Sequence, residues 1–170
     1  MMISGAINTT GPGIPASLQS HFVQRSCCVL TNDEILSFQQ VFSALETYSS
    51  RHPFPPEMLC VLVYTDQPSI TLIQDPDVLG QSLCLATIWL GRIRQRPNYN
   101  PGLLMLVMAE ELFHALYSVQ NEYLVKEMVF EALQPYFPDL SLHDAYPLLF
   151  DEAGNRIPLP EYPAAWATRP

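Results

Sequence analysis

Residues 107–117 read Val-Met-Ala-Glu-Glu-Leu-Phe-His-Ala-Leu-Tyr, which sets two carboxylates and an imidazole into an otherwise apolar run. At 100° per residue, Glu110, His114 and Glu111 fall at about 0°, 40° and 100° around a helix, so all three project from one side. A carboxylate and an imidazole one helical turn apart can hold a single divalent ion, with oxygen and nitrogen donors both at about 2.0–2.2 Å. Such groups are costly to bury without a partner, so the fold must supply either a metal or countercharges.

The helix that carries them is bounded by local chemistry. Asn100 is a good N-cap, Pro101 suits the first helical position, and residues 102–109 carry no charge. A helix apolar on every side belongs inside a fold, and this one is expected to span about residues 101–120 and to bury all three polar groups or set them in a cleft.

The segment Ala109-Glu-Glu-Leu-Phe-His-Ala-Leu116 resembles the Ala-His-Glu-Leu-Gly-His-Ala-Leu signature of the zincin superfamily of zinc peptidases. Position by position, Glu111 matches the general base and His114 the second metal ligand. Glu110 stands where the first metal histidine would be, and Phe113 where glycine is common. The resemblance implies a zinc site completed by a carboxylate from the next helix, for which Glu127 and Glu131 share a face. Glu122 ranks behind them, because it follows His114 so closely that the chain has little room to turn back. It also implies peptide hydrolysis, although a carboxylate ligand adds negative charge and weakens the acidifying power of the ion.

Around that helix the elements follow in order. Thr31-Asn-Asp-Glu34 reads as a capping box, with Ile35, Phe38, Phe42, Leu45 and Tyr48 at helical spacing behind it. After the proline cluster at 53–56, residues 58–64 read as a strand buried on both faces, and 69–73 as a second strand. Residues 83–90 form a third, which the alternation of Arg92, Ile93 and Arg94 extends with a wet outer face. A second helix over 123–133 follows a turn near Gln120-Asn121 and stops at Pro135 and Pro138. This predicts an α+β fold in one zincin-like domain over 21–146, with a small mixed sheet. An irregular arm over 1–20 precedes it, and a Pro-rich extension over 147–170, with a hairpin turning at Ala153-Gly-Asn, follows it.

Whole-chain chemistry narrows the partners. The formal charge of −9 arises from 17 acidic against 8 basic residues, with Lys126 the one lysine, which disfavours nucleic acid and anionic membranes. The apolar runs are broken well short of a membrane span. The N-terminus lacks the basic start and apolar stretch of a secretion signal, so a cytoplasmic address is expected. Cys27, Cys28, Cys60 and Cys84 form no Cys-x-x-Cys pair, which argues against zinc held by cysteine.

Two readings stay open. In one, Glu110, His114 and Glu127 or Glu131 hold zinc, and Arg92, Arg94 and Arg96 on one strand face grip a substrate carboxylate or an extended peptide. In the other, the same groups form a buried ion-pair network with one of those arginines. The zincin frame then serves as a non-catalytic module for a peptide or protein partner. His143 beside Asp144 is a further late-ligand candidate. A di-iron site would need a second Glu-x-x-His and a four-helix frame, and neither is present in this sequence.

Overall fold

The computed structural model describes residues 2–7, 11–55, 58–73 and 84–157. Strands β1 (Met2–Ile3), β2 (Phe22–Ser26), β3 (Cys60–Thr65), β4 (Leu72–Ile73) and β5 (Cys84–Trp89) alternate with helices. These are α1 (Asn32–Ser49), α2 (Leu90–Ile93), α3 (Pro101–Tyr117), α4 (Glu122–Leu133) and α5 (Leu142–Ala145). The fold is α+β. The expected small sheet resolves into a three-stranded parallel sheet in the order β2-β3-β5 and a separate antiparallel ribbon of β1 with β4.

Every residue of β3 is buried, as a central parallel strand covered on both faces requires. Its side chains alternate between two apolar clusters. Cys60, Leu62 and Tyr64 join the main core with Phe38, Phe42 and Leu45 of α1 and Leu104, Met108 and Leu112 of α3. Val61 and Val63 face Ile3 on the opposite side. The arm before residue 21 is therefore not wholly irregular: it contributes β1 and a 3₁₀ helix, Ala16–His21. β2, with Gln24 and Arg25 at its centre, carries no strong strand signal and takes its place by pairing in register with β3.

The capping box forms as expected, with Thr31 Oγ1 accepting from the Glu34 N–H at 3.3 Å and the Glu34 carboxylate accepting from the Thr31 N–H at 2.8 Å. In α3, Asn100 Oδ1 accepts from the Leu103 N–H at 2.9 Å. That helix ends earlier than its apolar pattern predicts, at Ser118 with φ of 53°, a left-handed residue that stops further helical bonding. Asn121 then caps α4 through the Tyr123 and Leu124 N–H groups, and α4 turns back at 115° to α3. Among the described residues no single helix is long and apolar enough to cross a membrane.

The third strand is shorter than its sequence pattern. It stops at Trp89, and Leu90–Ile93 form a helical turn, so Arg92, Arg94 and Arg96 do not share a strand face. Gly91 fixes the change of direction. A Cβ there would lie 2.2 Å from the Asp66 carbonyl oxygen, and no L side chain tolerates that approach to backbone. Trp89 Nε1 donates to the same oxygen at 3.1 Å. The hairpin at residues 149–157 is present, with Phe150 bridging Arg156 and Gly154 at φ of 79°. The proline-rich remainder of the extension lies outside the described residues.

Candidate functional site

α3 packs on α1, β5 and α4, and the stripe bearing Glu110 and His114 is the one that faces α4. Because α4 turns back so sharply, its first turn meets that stripe, and Glu122 rather than Glu127 or Glu131 reaches His114. Glu122 Oε1 lies 3.3 Å from His114 Nε2. His114 Nδ1 is 2.7 Å from the Val119 carbonyl oxygen. That acceptor sets the tautomer with the proton on Nδ1 and ties the loop between α3 and α4 to the site.

Between the two acids lies the chain's one lysine. Lys126 Nζ donates to Glu122 Oε2 at 2.6 Å and to Glu110 Oε2 at 3.5 Å, and its ammonium sits 5.6 Å from the centre of the Tyr146 ring. Its side chain is only 17% exposed. Burial pulls the Lys126 pKa down, but the hydrogen bond it donates to Glu122 and the charges of both glutamates outweigh it and hold the ammonium above its ordinary value. Glu110 moves the other way: burial raises its carboxyl pKa, and Lys126 offsets this only in part. The Tyr146 hydroxyl is buried with no hydrogen-bond partner among the described residues, and burial together with Glu110 pushes its pKa up.

Glu111 departs from expectation. It is exposed on the outer side of α3 rather than buried, because a step of 100° from Glu110 carries it past the α4 contact. Its carboxyl pKa is raised, first by lost hydration on its inner side, with His114 opposing.

The other residues expected here lie elsewhere. Glu127 pairs with Arg156 of the C-terminal hairpin. Glu131 lies 3.4 Å from Arg51 and 3.7 Å from His52 at the end of α1. His143 is exposed and stacks edge-on with Phe150, while Asp144 caps its own short helix through Ser141. Among the described residues, no group of three His, Cys, Asp or Glu side chains is arranged to hold an ion. As arranged, Glu110 and Glu122 share the Lys126 ammonium while His114 meets the other oxygen of Glu122, so the donor set does not fit zinc without displacing Lys126.

A second cluster has no counterpart in the sequence reading. Arg94 donates to both oxygens of Glu34, through Nε at 2.8 Å and an Nη at 2.7 Å, and to Asp66 at 2.8 Å. Tyr99 Oη donates to Glu34 at 3.1 Å, and the Val29 carbonyl oxygen accepts from Arg94 at 2.9 Å. Glu34 is 1% exposed. Burial would raise its pKa, but the Arg94 fork, the Thr31 N–H and Tyr99 bring it below its ordinary value. Arg94 thus directs its donors at Glu34, Asp66 and the Val29 carbonyl within the fold. The linear pattern marked Glu34 only as a cap residue, and its partner 60 positions away is visible only once β3 and β5 are paired.

Comparison with protein families, with curated proteins and with solved structures finds no match for this chain.

Proposed function

We infer that this chain is a zincin-like α+β domain acting as a non-catalytic protein-interaction module, in which the ammonium of Lys126 stands where a peptidase of that family would hold its metal. The observation that carries the reading is the seat of Lys126 Nζ, 3.5 Å from Glu110 and 2.6 Å from Glu122, with His114 on the far side of Glu122. One positive charge there offsets two glutamates, which is the electrostatic service a bound cation would otherwise supply. The exposure of Glu111 supports the same reading, since a general base works best in a site closed to bulk solvent. The peptidase reading keeps the motif match in its favour but requires Lys126 to leave.

Zinc titration by calorimetry separates the two. The parent protein is expected to show no stoichiometric zinc binding, whereas Lys126→Ala frees Glu110, Glu122 and His114 to take up an ion. Stoichiometric zinc in the parent, lost in His114→Ala, would establish the metal site instead.

A further inference from the structure

The clasp between Arg94 and Glu34 does more than close the fold: it assembles a surface. β2 runs out into Val29, β3 into Asp66, and β5 ends at Trp89, so the clasp sits at the carboxyl ends of all three parallel strands, the end at which such sheets offer ligand sites. Two of the exposed large apolar residues are fastened to it. Val29, 70% exposed, is held through its carbonyl by Arg94, and Tyr99, 36% exposed, through its hydroxyl by Glu34. On the same segment Arg92 lies over the Trp89 ring at 5.7 Å from its centre, and Arg92 and Arg96 are both exposed. Among the described residues neither is in an ion pair, which is otherwise true only of Arg25, whereas Arg51, Arg94, Lys126 and Arg156 all are.

We propose that this surface docks an acidic peptide segment of a partner protein, with Arg92 and Arg96 receiving its carboxylates and Val29 and Tyr99 receiving an apolar side chain between them. Guanidinium forks match carboxylates, and arginine with aromatic residues on a rigid base is the composition of interface hot spots. Nucleic acid fits less well, since two arginines neutralise few phosphates and base recognition leaves the apolar Val29 unused. Arg94 acts as a positioning residue, touching no partner itself. The proposal rests on the module reading only for the purpose of the surface. Zinc binding by the parent protein would end that reading and leave the peptide measurement standing by itself.

The probe is a fluorescein-labelled peptide Gly-Asp-Glu-Leu-Asp-Glu-Gly, with its Asn/Gln counterpart as the uncharged control, titrated with the full chain by anisotropy. Saturable binding of the acidic peptide is expected, falling about tenfold in Arg92→Glu and weakening with added salt. Arg25→Glu makes the same change in net charge at another exposed arginine and should leave binding as in the parent. The proposal is overturned by an absence of saturable binding, by equal affinity for the uncharged peptide, by equal losses in Arg92→Glu and Arg25→Glu, or by tighter binding of a single-stranded oligothymidylate.

Discussion

Lys126 and Ser118 are the residues on which the candidate site depends most directly. Replacing Lys126 by alanine leaves Glu110 and Glu122 facing each other without a cation, in partly dry surroundings. Breaking a fully buried pair costs about 3–5 kcal/mol, and with Lys126 17% exposed and Glu122 35% exposed a loss of about 2 kcal/mol is expected, read from chemical denaturation. Lys126→Arg should recover only part of it, because a planar fork does not fill the seat of a compact ammonium. Ser118 sets the loop that returns Glu122 to His114, and it does so from the left-handed region at φ of 53°. Ser118→Gly relieves that conformation and should stabilise the protein by about 0.5–1 kcal/mol, seen as a higher Tm. The motif residues were legible in the sequence and their partner was not. Spacing alone placed Glu110 and His114 on one face, but nothing local says that a lysine 16 positions on will lie between Glu110 and Glu122.

At the scale of elements, the helices follow from their sequences more closely than the strands do. Thr31 with Glu34, Asn100 with Pro101, and Asn121 each carry their own capping chemistry, and α1, α3 and α4 begin where those residues stand. β2 was invisible because an edge strand with Gln24 and Arg25 at its centre is defined by its pairing to β3 rather than by its own pattern. The extension of β5 through Arg92 and Arg94 failed for a related reason. An alternation of three residues fits one turn of helix as well as a strand, and Gly91 against the Asp66 carbonyl decides for the turn. Gly91→Ala should therefore cost about 3 kcal/mol or more, because the atom it strikes is backbone at 2.2 Å and cannot swing aside. The expected readout is a lowered denaturation midpoint together with loss of the Trp89 fluorescence environment.

For the molecule as a whole, two charges of opposite sign, the buried Glu34 and the half-buried Lys126, bound the pH range of greatest stability. Glu34 has a folded pKa below its ordinary value of 4.5, so its contribution is fully present above about pH 4.5 and is lost as pH falls through the folded value. Lys126 has a folded pKa above its ordinary value of 10.5, so its contribution is present below about pH 10.5 and is lost as pH rises through the folded value. Glu110, with a pKa raised by burial, works in the opposite sense to Glu34: its ionisation costs stability as pH rises from about 4.5 through its folded value. Denaturation midpoints across pH should show an acid limb that Glu34→Gln flattens and an alkaline limb that Lys126→Met flattens.

Lys126 being the one lysine in the chain makes the central claim directly measurable. Lysine labelled with ¹³C at Cε yields a single side-chain resonance, whose titration reports the charge on that ammonium in the folded protein. The account predicts that Lys126 titrates above 10.5 and that its resonance does not move when one equivalent of zinc is added at neutral pH. A resonance that titrates at or below 10.5, or that shifts stoichiometrically with zinc, would contradict it.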